Sequence, residues 1–220
     1  MISEPSTLLT DYALAALTFA LAWRLRSRLE GQRARAFWAV ALLALALAAL
    51  LGGTYHGFAP SLGELARLLL WKATVLSIGV AAAAMIAGSA AAAARERLRR
   101  SLTVFAAAAF VAYGAWMLFH NAYVFVVIDT AIAIVLVALL HGGSAEARRL
   151  PGSSWMLAAA AVSAIAAAIQ ASGFALHRHF NHNDLYHVTQ MAAMGMFYAG
   201  VRRLRDRACC ANPGRRRQAR

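Results

Sequence analysis

Long apolar runs alternate with short polar breaks along the whole chain. Each run is close to the roughly 20 residues that a helix needs to cross a bilayer. Seven spans follow from this pattern: Leu8–Leu25, Ala36–Tyr55, Leu65–Ala91, Leu102–Phe119, Ala122–Leu140, Trp155–Ala175 and Leu185–Val201. The third run is long enough to tilt or to continue beyond the lipid. The pattern therefore predicts an all-α, polytopic membrane protein, a seven-transmembrane helix bundle. Residues 1–207 form one domain, and 208–220 form a basic tail too polar to pack. The breaks are short, so neighbouring helices pack antiparallel. Pro60-Ser61 marks one turn, and Gly142, Gly143 and Pro151 bracket another.

Charge orients the bundle. The chain carries a formal net charge of +13 and a sequence pI near 11.3. Arginines fall in every second connection: Arg24 to Arg35, Arg95 to Arg100, Arg148 with Arg149, and the tail from Arg202 onward. The intervening connections are nearly free of Arg and Lys. This is the positive-inside pattern of an odd number of spans, with the N-terminus outside and the C-terminus cytoplasmic. It also decides against nucleic acid as partner, because arginines confined to every second connection read as a topology signal. Membrane lipid is the expected surrounding, and a multi-pass place in a bacterial plasma membrane the expected location. Composition agrees, at 61% hydrophobic residues and a mean hydropathy of +0.58. The first run is expected to stay as a helix rather than be cleaved. Glu4 precedes it and its arginines follow it, the reverse of a signal peptide. Cys209 and Cys210 lie in the predicted cytoplasmic tail, where a structural disulfide is not expected.

Against this apolar background the ionisable groups stand out, because such groups are costly in a membrane bundle and mark function by default. Six of the seven histidines fall at the predicted outer side: His56, His120, His177, His179, His182 and His187. His141 falls at the other side and reads as structural. His120 reads as a helix end, and His177 and His179 as a solvated loop edge. Asp11, Glu64 and Asp129 share the outer leaflet, with Asp129 about two turns inside its span. Asp129 has a bland alternative, an ion pair with Lys72 or Arg67.

The sharpest local motif is Asn181-His182-Asn183-Asp184-Leu185-Tyr186-His187. Asn183 or Asp184 suits a helix N-cap. His187 and Gln190 then share a face, and Asn183 lies four residues before His187 on that face. His182 is about 140° from His187 on a regular helix, so it reaches the same ion only if the helix begins after it. His56 sits in Gly52-Gly53-Thr54-Tyr55-His56-Gly57, where the glycines allow a neighbouring helix or a substrate to approach closely. Three imidazoles around one open position make a catalytic zinc site. His56, His182 and His187 are the most economical ligand set. Asp129, Glu64 and Asp11 are candidate bases for the metal-bound water. Thr54, Asn183, Asp184 and Gln190 are candidate supports around the ligands.

Seven spans, a histidine near the end of the second and a histidine pair at the seventh resemble the CREST superfamily, which contains the alkaline ceramidases and the PAQR receptors. The resemblance implies zinc and hydrolysis of a lipid amide or ester. Three features depart from the family pattern. Asn183 stands where the family has the first histidine of its helix-seven pair, Gly52 stands where it has a serine, and its helix-three Asp has no clear match, since Arg67 and Lys72 occupy that stretch and only Glu64 is acidic. Two functional expectations follow. One is a zinc-dependent membrane hydrolase acting on a lipid-like substrate. The other is a non-enzymatic seven-helix sensor or receptor-like protein whose His cluster is structural or titrates on the outer side. A proton or solute pathway ranks behind both, because the inner half is too apolar to carry a relay.

Overall fold

The computed structural model describes residues 2–177 and 180–207, and within them the chain is all-helical. The apolar runs form α1 (Pro5–Arg26), α2 (Arg33–Phe58), α3 (Glu64–Ala93), α4 (Glu96–Phe119), α5 (Val124–Gly142), α7 (Ser153–Ser172) and α8 (His182–Val201). A four-residue helix, α6 (Ala145–Arg148), lies in the connection before α7 and was not expected from periodicity. Six of these helices, α1 to α5 and α7, are long and apolar enough to cross a bilayer. The eighth carries His182, Asn183, Asp184, His187 and Gln190 within its twenty residues, and these polar groups dilute its hydropathy.

Helix packing gives a closed order. Successive neighbours α1, α2, α3, α5, α7 and α8 form a ring, with α8 packing back on α1. The remaining long helix, α4, lies outside against α3 and scarcely touches α5. The outer surface is apolar, with Leu9, Phe19, Leu47, Leu69, Val104, Val111 and Ile165 exposed. A soluble protein does not display so large an apolar surface.

The two ends of the ring differ. At the arginine end the helices are in close contact, and residues 84–94 of α3 are buried throughout. Small side chains make this possible. A Cβ on Gly88 would stand 2.5 Å from Trp38 Cδ1, so the Trp38 indole lies directly on the α3 backbone. Trp38 in turn packs on Phe197, ring centroids 4.9 Å apart, and both are fully buried. Gly152 opens α7 with φ +88°, and any Cβ there would meet Gly200 O at 2.4 Å, which brings α7 and α8 into backbone contact.

Polar bonds lock the same end. Asp206 accepts from the Arg33 and Ala34 amides, each at 2.8 Å, and so fills the free donors at the start of α2. The buried Arg35 donates to Leu204 O at 2.9 Å and Arg28 O at 2.7 Å. Arg207 donates to Ala93 O at 2.7 Å and pairs with Glu146. Residues 204–207 thus tie together the ends of α2, α3 and α6. At the histidine end packing is looser: no residue of α3 before Thr74 is buried.

Candidate functional site

The start of α8 builds the site. Asn181, not Asn183 or Asp184, is the N-cap. Its side chain accepts from the Asn183 amide at 2.8 Å, and Asp184 Oδ2 accepts from the Asn181 amide at 2.8 Å. This reciprocal capping box fixes Asp184 at zero exposure. One turn later, on the same face, comes His187.

Both ring nitrogens of His187 are engaged by α1. Nε2 lies 3.2 Å from Asp11 Oδ1, and Nδ1 lies 3.0 Å from Thr10 Oγ1. The Thr10 hydroxyl is also 3.3 Å from Asp184 Oδ1 and 3.1 Å from Thr7 O. One proton between His187 Nε2 and Asp11 Oδ1 completes the contact, whether the pair is written as ionic or neutral. Asp11 is 4% exposed and His187 8%. Asp184 and Glu4 add negative charge around Asp11, and His56 lies within electrostatic reach of His187. The glycines of α2 let this happen. A Cβ on Gly53 would stand 2.8 Å from Asp11 Cβ and 2.9 Å from Tyr12 Cδ1, so α1 rests directly on the α2 backbone there.

The other predicted residues have separate partners. His56 Nδ1 lies 3.1 Å from Glu4 Oε2, in a half-exposed pair at the end of α2. Thr54 Oγ1 bonds the Tyr12 hydroxyl at 3.0 Å. His182 is the first residue of α8, so the condition that would have swung it towards His187 is not met. Asn183 accepts from Gln170 Nε2 at 2.7 Å and ties α8 to α7. Gln190 is half-buried, its Oε1 without a hydrogen-bond partner. Glu64 is exposed at the first turn of α3.

Asp129 is partly buried on α5, and its Oδ2 has no hydrogen-bond partner. The expected ion pair with Lys72 or Arg67 is not formed. Lys72 instead donates to the carbonyls of Met117 and, at 2.9 Å, His120, and so caps the end of α4. His120 stacks on Trp116 at 3.8 Å, a helix end as expected. His141 is fully buried at the arginine end with Nδ1 2.9 Å from Ser153 Oγ. His177 pairs through its backbone with Phe180. His179, Cys209 and Cys210 lie outside the described residues.

Among the described residues no three His, Cys, Asp or Glu side chains are grouped to hold a metal ion. His56, His182 and His187 are therefore not gathered around one point, and the residues present do not fit the expected zinc.

Thr10, Glu4 and Gln170 were not singled out from the sequence, yet they complete the network. A signal for α1 was available: Thr7, Asp11 and Thr18 recur at helical spacing on one face, and all three are buried.

A family described as a family of unknown function (DUF6962) matches residues 6–206. No curated protein and no solved structure matches the chain.

Proposed function

The chain belongs to the DUF6962 family, whose function is unknown, and we propose from its own site that it is a seven-pass membrane sensor or receptor-like protein. In this reading the N-terminus and the histidine end face outward, the arginines face the cytoplasm, and α8 is the seventh span. The observation that carries the proposal is the bridging of one buried imidazole, His187, between Asp11 and Thr10 of the first helix. The contact holds α1 to α8 at the loosely packed end of the ring, and one proton completes it.

Losing that proton changes the balance. It leaves a buried carboxylate beside a neutral imidazole, with Asp184 and Glu4 adding like charge, and a buried charge without a counter-charge is costly. The groups facing the pair are Thr10 and Glu4 from the N-terminal side, His56 from α2, Tyr123 at the start of α5, and Asp184 and Tyr186 from α8. A rise in pH therefore loosens the α1–α8 contact, and the pair acts as a latch read from outside. The test is thermal unfolding and tryptophan fluorescence of the purified chain between about pH 6 and pH 9. Wild type loses stability and changes its spectrum as the pH rises, whereas Asp11→Asn and His187→Gln respond much less. A flat wild-type response sinks the latch.

The hydrolytic reading needs His56, His182 and His187 on one ion. The distinct partners of these three residues weigh against it, and no step is derived through a metal. Elemental analysis separates the two readings. One zinc per chain, lost in His56→Ala, favours the hydrolase; no stoichiometric metal favours the sensor.

A further inference from the structure

The outward face of α1 carries a feature at the arginine end that the Asp11–His187 contact does not use. Phe19, Ala20, Trp23 and Arg24, all exposed, line a shallow open groove. The order of residues dictates it. Asp11, Ala15, Thr18, Ala22 and Leu25 are buried and take one side of the helix, so at about 100° per residue Ala20 and Arg24 fall on the side turned away from the ring. Phe19 and Trp23 stack with centroids 6.3 Å apart and make one wall. Ala20 makes the floor, because its side chain is a single methyl group. Exposed Ala16 and Ala13 continue that floor for two further turns. From Arg24 to Ala13 the helix rises about 16 Å, close to half of a hydrocarbon core of about 30 Å.

Charge selects the occupant. Arg26 lies over the Trp23 ring, 5.3 Å from its centroid, which holds a second cation against the aromatic wall. Among the described residues Arg24, Arg26 and Arg28 pair with no carboxylate. Glu30, the acid nearest in sequence, is taken by Arg35. An apolar groove therefore ends among exposed guanidinium groups that have no counter-charge from the protein. A zwitterionic headgroup would bring an ammonium for which no free acid is present. An anionic headgroup brings only the phosphate, which a guanidinium fork suits. A small soluble anion would leave the aromatic wall and the alanine floor uncovered, whereas an acyl chain covers both.

We propose that this groove holds one anionic phospholipid, its phosphate on Arg24 and one acyl chain laid over Ala20 and Ala16 against Phe19 and Trp23. Arg26 and Arg28 add long-range attraction for the same headgroup. Assignment of the lipid to the inner leaflet rests on the proposed cytoplasmic orientation of the arginine end; the binding itself does not.

The probe is dioleoyl phosphatidylglycerol, titrated into the full chain in detergent and followed by native mass spectrometry. Dioleoyl phosphatidylcholine has the same chains, and glycerol 3-phosphate has the charge without them. Wild type binds one phosphatidylglycerol in preference to phosphatidylcholine, and glycerol 3-phosphate does not displace it. Arg24→Gln weakens that binding about fivefold, the loss of one cation at the phosphate. Ala20→Leu raises the floor at unchanged charge and weakens it comparably. Both positions are exposed, so both variants keep the wild-type Tm. Arg97→Gln removes an exposed charge from the same end of α4 and leaves the binding unchanged. Four results overturn the proposal: equal binding of the two lipids, displacement by glycerol 3-phosphate, full binding in Ala20→Leu, or an equal loss in Arg97→Gln, which would be the general attraction of a basic surface. Lipid preference without a pH response removes the latch alone, and the reverse result removes the lipid site alone.

Discussion

At the residue scale, the Asp11–His187 pair is bound to its context because neither group can reach water. Truncating one side strands the other. Asp11→Ala or His187→Ala should each cost about 3 kcal/mol of stability. The double variant should cost clearly less than the sum, since the two changes remove one interaction. Chemical or thermal unfolding of all four proteins in detergent gives the cycle; additive losses would show that the two residues act separately. Gly53 makes a second, steric prediction. Its Cβ would fall 2.8 Å from Asp11 Cβ, so Gly53→Ala should destabilise by about 1–3 kcal/mol and exceed the effect of Gly52→Ala in the same assay. The sequence reading found Asp11 and His187 but not their union. Depth along a span singles out Asp129, but depth carries no information about which way around the helix a residue points. Of the glycine pair in α2, Gly53 is the expected place of close approach, whereas Gly52 has ordinary contact distances.

At the scale of elements, apolar runs located the long helices, since a run of that length has no other stable form in lipid. Most helix ends lie within a few residues of the expected positions. The start of α8 differs with consequence: both Asn181 and Asn183 are good caps, and Asp184 decides between them by closing the box with Asn181. That choice places His182 inside the helix and away from His187. Ring order was not legible, because the faces of these helices are nearly all apolar and carry no mark of a partner. The cap on α2 comes from Asp206, far along the chain, which local patterns do not reveal. Asp206→Ala should cost about 1 kcal/mol, read as a lowered Tm. Gly88→Ala should lower stability by about 1–3 kcal/mol, because Trp38 and the Ala34 carbonyl, at 2.5 Å and 3.1 Å from the new Cβ, leave it no room. Unchanged unfolding of Gly88→Ala would refute the close α2–α3 contact.

For the whole molecule, the proposed orientation rests on arginine placement. A membrane-impermeant maleimide should label Cys209 or Cys210 only after cells are permeabilised, since the tail lies on the cytoplasmic side in the proposed topology. Labelling of intact cells would invert the topology and put the histidine end inside. The two ends also divide labour physically: one is locked by dense packing and the Asp206 and Arg207 bonds, the other is held by a few polar contacts. Motion is then expected where cohesion is least.

Thr10 and His187 are 177 residues apart in the chain. The first helix leaves the ribosome long before the last, so Asp11 waits without its imidazole while nearly everything else is translated. A chain stopped short of α8 would keep an acid without its imidazole partner in an otherwise apolar segment. The bond that closes the ring can therefore form only once the final helix is in place.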